Sequence, residues 1–169
     1  RRASKRAALA DREAAAYDLE MRRLSLAAQV TKLWVSAVAA KRQLALAQES
    51  AESFADTAGK IDARYREGLT AAFDLKLAQN TVESARALVV EREQQLIDQV
   101  QQLEVLLGHF PNASLPVPEL LPDISGPVAV GIPSSVLERR PDLRAAERRL
   151  AAADQRLWES KAALFPQIS

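Results

Sequence analysis

Residues 26–70 read LAAQVTKLWVSAVAAKRQLALAQESAESFADTAGKIDARYREGLT, and the spacing within them decides the fold. Leu26, Val30, Leu33, Ala37, Ala40, Leu44, Ala47, Ala51, Phe54, Ala58, Ile61 and Tyr65 advance by alternating steps of four and three. That is the seam of a left-handed coiled coil. Many of these positions are alanine, which lets backbones approach closely but buries little area per residue. Such a helix needs neighbours to be stable. The pattern breaks at Arg64-Tyr65-Arg66-Glu67-Gly68-Leu69-Thr70. Gly68 can take positive φ and close the helix. Thr70 is the expected N-cap of the next helix, with Asp74 near its positive end. A connection this short makes the two helices antiparallel neighbours.

Towards the N-terminus a second stripe runs through Ala10, Ala14, Tyr17, Met21, Leu24, Ala28, Thr31, Val35 and Val38 and fades at Arg42. The first half of this helix therefore has two apolar faces and is expected to touch two neighbours. Arg1, Arg2, Lys5 and Arg6 read as a solvated helix end. Beyond the break, Leu75, Ala78, Val82, Ala85, Val89, Leu96, Leu103 and Leu106 repeat the same spacing, interrupted by Arg92 and Gln99. Gly108, with Pro111 just beyond, stops this second helix.

All eight prolines fall between Pro111 and Pro166. Residues 109–133 are proline-rich, and no helix can cross them. Pro127-Val128-Ala129-Val130 is the one place where a short strand would fit. A third helix is expected over 135–165, with Ser135 as N-cap and Glu138 completing a capping box. Pro141 falls one turn in, where it can restart the helix as its first residue. Leu143, Ala146, Leu150, Ala153, Leu157, Ser160 and Leu164 carry the seam, and Pro166 ends it.

Helices over 2–66, 71–107 and 135–165 would span about 98, 55 and 46 Å at the usual rise. The two shorter ones together nearly match the long one. The economical arrangement stacks them end to end along it, with the proline-rich segment bulging at the junction. The fold class is therefore all-α: a long antiparallel helical hairpin, a third helix stacked on the shorter arm, and residues 1–169 forming one elongated domain.

Composition agrees. The 169 residues include only 5 glycines, and 23 basic against 22 acidic residues give a net charge of +1. No global field points to nucleic acid. No cysteine is present, so disulfides and thiolate metal sites are excluded. No apolar run approaches the ~20 residues that span a bilayer. Trp34 and Trp158 lie on or near apolar stripes and read as packing residues. The sole histidine, His109, lies beside a helix stop and does not mark a metal site. The Glu138, Arg139, Arg140 and Asp142 cluster reads as caps and ion pairs around a helix restart. There is no Ser/His/Asp set, no phosphate-cradling glycine loop and no metal-ligand spacing. No enzyme, cofactor or metal site is expected.

The last stretch, GIPSSVLERRPDLRAAERRLAAADQRLWESKAALFPQIS from Gly131 to Ser169, carries a family likeness. Ile132 through Leu143, then Glu147, Leu150 and Ala153, then Phe165-Pro166-Gln167-Ile168-Ser169, resemble the outer membrane factors (TolC/OprM/NodT-like) of tripartite RND-type efflux systems. Arg64 through Thr70 with Asp74-Leu75 and Ala78-Gln79 resemble the tip of that family's first helical hairpin. Leu106-Leu107-Gly108 resembles the end of its returning helix. The resemblance implies a homotrimeric channel whose helices form a hollow periplasmic cylinder below an outer-membrane β-barrel. It implies that the tips meet a periplasmic adaptor protein, which couples the tube to an inner-membrane pump. Gly68, Leu69 and Thr70 match the tip motif and are assigned to adaptor contact, with Arg64 and Glu67 flanking them. Phe165–Ser169 reads as the stump of a barrel strand. The barrel, the second repeat and the family's lipid-bearing N-terminal cysteine are missing from these residues. Two other classes compete. One is a helical-hairpin scaffold, such as an adaptor coiled coil, that binds partners without conducting solute. The other is a lipid-surface helix protein, which the narrow alanine-rich seam does not favour.

Overall fold

The computed structural model describes residues 2–123, 126 and 133–163, with the backbone alone at Arg2, Pro133, Ser134, Ser135 and Ala163. Four helices follow one another: α1 (Arg2–Arg66), α2 (Ala72–Leu106), α3 (Pro133–Arg139) and α4 (Pro141–Ala163). No strand occurs among the described residues. The segment Pro127–Val130 and the terminal Phe165–Ser169 lie outside them. The chain divides into two compact units. One comprises Arg1–Ala28 and Ser125–Ser169, the other Gln29–Ile124, so α1 contributes to both.

In the Gln29–Ile124 unit, α2 runs antiparallel to α1. Leu33 lines a groove with Asp98, Gln102 and Leu106. Further along, Phe54 and Ile61 line another with Asp74, Leu77 and Ala78. Ala37, Val38 and Ala47 of α1 and Leu75, Val82, Ala85, Val100 and Leu103 of α2 are buried. The heptad seam is thus the buried edge, as its spacing requires. It is shallow, however: Leu26, Phe54 and Tyr65 at seam positions stay exposed. Arg92, which interrupts the α2 seam, is held between the helices. Its Nη1 donates to Gln95 Oε1 at 2.7 Å and to Gln43 Oε1 at 3.3 Å.

The start of α2 differs from expectation. Ala71, not Thr70, occupies the N-cap position, in extended conformation and with no side-chain cap bond. The reason lies in the backbone: the Asp74 and Leu75 N–H groups both donate to the Ala71 carbonyl, which makes Ala71 the first acceptor of the helix. Asp74 stands in the first turn, where its charge favours the helix dipole.

Beyond α2, the proline-rich segment folds back on the hairpin. Glu104 is only 2% exposed. Its Oε2 accepts from the Ala113 N–H at 2.8 Å, and its Oε1 from the N–H groups of Ser114 and Leu115 at 2.7 and 3.0 Å. Lys41 Nζ on α1 donates to the Val117 carbonyl at 2.6 Å. Nothing local in the sequence announces Glu104, because its acceptor role is completed by residues nine to eleven positions downstream.

In the other unit α4 packs antiparallel on the first turns of α1. The contact is made of alanine: Ala7, Ala10 and Ala14 on α1, Ala145 and Ala152 on α4, all buried. Arginines flank it. Arg148 pairs with Glu13, Arg149 with Asp18 and Arg156 with Asp11. Arg144 lies over the Tyr17 ring, 5.6 Å from its centroid. Every cation is on α4 and every anion on α1, so the charges set the register of an interface whose small side chains set little. The second α1 stripe is buried at Ala10 and Ala14 and again at Val38, with Tyr17 half-buried; Met21, Leu24 and Val35 between them are exposed. Trp158, expected to pack, is 63% exposed. It projects from the side of α4 away from Ala145 and Ala152, with Lys161 Nζ 5.3 Å from its ring centroid.

The third helical stretch, expected over 135–165, is two helices. α3 begins at Pro133, two residues before Ser135, and Arg140 separates it from α4, which Pro141 opens. Proline has no N–H to donate and restricts the residue before it, so a break before Pro141 costs nothing that a continuous helix would keep. Arg140 spans the break with a bidentate pair to Asp142, Nη2–Oδ2 2.6 Å and Nε–Oδ1 3.1 Å. Hydrogen bonding to that guanidinium, partly opposed by desolvation, lowers the Asp142 pKa. Arg144 Nε donates to the Glu138 carbonyl at 2.8 Å. The Glu138 side chain is exposed; the Ser135 side chain, its partner in the expected capping box, lies outside the described residues.

Candidate functional site

The candidate site is the turn between α1 and α2. Gly68 adopts φ +74°. Its N–H donates to the Tyr65 carbonyl and the Leu69 N–H to the Arg64 carbonyl, both at 2.9 Å. This pair is a Schellman closure, which satisfies two carbonyls that the helix end would otherwise leave unpaired. Arg64 and Arg66 occupy the last turn of α1, where positive charge is favoured by the helix dipole. Arg66 also pairs with Asp62 at 2.6 Å.

The turn points apolar side chains at solvent. Leu69 is 65% and Phe73 74% exposed. Arg64, Glu67 and Gly68 are exposed as well, while Thr70 is half-buried. Behind the turn lies an open groove of about 520 Å³. Phe54, Thr57 and Ile61 of α1 form one wall; Thr70, Asp74, Leu77, Ala78 and Thr81 form the other. The five residues singled out from the sequence are thus consecutive or nearly so in one exposed cap. Thr70 alone also borders the groove. The sequence reading passed over Phe73, Leu77 and the groove itself. The available signal was an aromatic and a leucine lying off the α2 seam: nothing inside the hairpin needs them, yet both are large and apolar.

The arrangement offers shape and apolar area, with a few charges at the rim. Among the described residues no group of three or more His, Asp or Glu side chains is placed to hold a metal ion. No helix among them is long and apolar enough to cross a membrane.

A family model described as outer membrane efflux protein matches residues 1–109. The chain belongs to the outer membrane efflux protein family. It is 32% identical over 168 residues to the toluene efflux pump outer membrane protein TtgF of Pseudomonas putida, covering 99% of this chain and 35% of that protein. It is 37% identical over 156 residues to the outer membrane protein OprJ of Pseudomonas aeruginosa, covering 87% and 31%. Among solved structures it is similar to the outer-membrane channel OprN, with a TM-score of 0.88 at 28% identity, covering 97% of this chain and 37% of that one. A membrane protein from Pseudomonas aeruginosa gives 0.84 at 32% identity, covering 97% and 38%. The chain spans about a third of the length of the curated relatives it matches. The likeness to outer membrane factors and the all-α class, both drawn from the residues, hold.

Proposed function

We propose that these residues form part of the periplasmic helical wall of an outer membrane channel, the exit duct of a tripartite efflux pump. The observation that carries this reading is the family match over α1 and α2, joined to relatives that are efflux pump outer membrane proteins. The channel is a passive conduit, a homotrimer in the outer membrane, with this segment in the periplasm. Its lower end opens when helices shift after an adaptor protein engages the tip, and an inner-membrane pump drives export. No step requires catalysis by this chain.

Two features support the tip assignment. Leu69 and Phe73 offer apolar area that the hairpin does not use, and the groove behind them is open to an incoming apolar side chain. Exposed Met21, Leu24, Leu26 and Val35 on α1 support a wall whose faces are covered by other helices of the assembly, since a lone helix pair gains nothing by leaving them in water. The competing scaffold reading loses ground because the relatives are channel components.

The test is made in the intact protein. Gly68→Trp should weaken crosslinking to the adaptor and lower efflux. Leu69→Lys, which leaves the turn conformation alone, should do the same. Unchanged crosslinking and unchanged efflux in both would overturn the tip role.

A further inference from the structure

The most unusual group in the molecule plays no part in the tip. Among the described residues, Glu104 is the one charged residue whose side chain is buried. It lies in the last turn of α2, where the helix dipole disfavours an anion. Burial raises its carboxyl pKa, but the N–H groups of Ala113, Leu115, Ser114 and Asn112 outweigh that and hold it below the ordinary value. The Ser114 hydroxyl adds a longer contact at 3.4 Å.

The donors are three consecutive backbone amides, 113 to 115, converging on one carboxylate. Ala113 has φ +55°, a conformation that L-residues other than glycine, Asn and Asp seldom adopt. A residue of that hand within a turn is what brings successive N–H groups into a concave cradle, the arrangement that binds anions in phosphate and carboxylate sites. A cradle of this kind left empty would leave three convergent, part-buried donors without their carboxylate partner.

We infer that residues 113–115 form an anion-binding nest and that the Glu104 carboxylate is its built-in ligand, a latch that fixes the proline-rich segment on the end of α2. The prolines stop the helix and stiffen the segment; the latch selects where it lies. Lys41, bonded to the Val117 carbonyl, is a second and separate tie. The nest takes a small carboxylate, so formate or acetate can stand in for the missing side chain.

Hydrogen exchange at the amides of residues 113–115 tests this in Glu104→Ala, Glu104→Gln and Lys41→Met. In the unaltered protein these amides should be protected. Glu104→Ala should lose roughly tenfold or more of that protection, and sodium formate or acetate should restore it where sodium chloride at equal ionic strength does not. Glu104→Gln keeps the shape but turns an amide donor towards donors, so it should lose protection at 113–115 while Val100 and Leu103 keep theirs. Lys41→Met should leave 113–115 unchanged. Full protection in either Glu104 variant would overturn the latch. Loss in Glu104→Ala with no response to formate or acetate would overturn the nest.

Discussion

Gly68 and Gly108 end the two hairpin helices by the same device. Their φ angles are +74° and +77°. Gly68 and Leu69 donate to Tyr65 and Arg64, and Gly108 and His109 donate to Val105 and Glu104, in the same register. At neither position would a Cβ meet another atom within 4 Å.

The cost of a side chain at either glycine is therefore conformational alone. Gly68→Ala and Gly108→Ala should each lower stability by about 1–2 kcal/mol, the penalty of the left-handed region for an L-residue. Asn at either site should cost less than Ala. Thermal melts of the variants followed by circular dichroism check both statements. A much larger loss at Gly108 alone would mean that the neighbouring Glu104 latch had been broken too.

Docking of α4 on α1 should depend more on alanine than on charge. The three arginine–carboxylate pairs are exposed, so each Arg→Gln change should cost about 0.2–1 kcal/mol and less in high salt. Ala145 and Ala152 are fully buried. Ala145→Leu should cost about 1–3 kcal/mol by forcing the helices apart. Chemical denaturation at low and high ionic strength separates the two effects.

Leu103 and Leu77, both on α2, should behave oppositely. Leu103 is 1% exposed, and Leu103→Ala should cost about 2–5 kcal/mol. Leu77 is more than half exposed and lines the groove behind the tip. Leu77→Ala should stay within about 0.5 kcal/mol of the parent in stability, yet reduce adaptor crosslinking in the intact protein. A matched loss of stability in both would argue that Leu77 serves the hairpin rather than a partner.

Acid should loosen the chain in a definite direction. Glu104 and Asp142 both titrate below their ordinary values of 4.5 and 3.8 in the folded protein. Unfolding returns them to those values, so the unfolded state binds protons first as pH falls. Their contribution is complete above the ordinary values and is lost as pH drops through the lowered ones. Melting temperature attributable to these groups should hold between about pH 7 and 5 and decline below that range. Glu104→Gln and Asp142→Asn should each flatten the decline; an unchanged acid limb in the double variant would exclude both groups as its source.

Much of this was legible in order along the chain. The bounds of α1 and α2, the turn at Gly68, the stop at Gly108 and the restart at Pro141 all rest on local chemistry: helical periodicity, positive φ, and a missing N–H. Thr70 misled because a good capping residue sat one position from the cap; the choice between Thr70 and Ala71 depends on backbone angles that neither side chain dictates. The seam expected on α4 misled as well as Trp158: Leu143, Leu150 and Leu157 are exposed, and it is the face of Ala145 and Ala152 that is buried.

The sequence by itself determined an antiparallel helical hairpin with an exposed tip and a further helical stretch, together with the family likeness. Those follow from spacing and from glycine and proline, whose effects reach only a few residues. Only the tertiary structure decided what meets across long separations. Arg156 finds Asp11 145 positions away, Lys41 finds Val117, and Glu104 receives the amides that follow a turn. Charged and polar residues are common on every helix face, and a sequence does not say which pair will share a distance short enough to matter. Those distances are set by how elements far apart in the chain pack on one another, which no local pattern fixes.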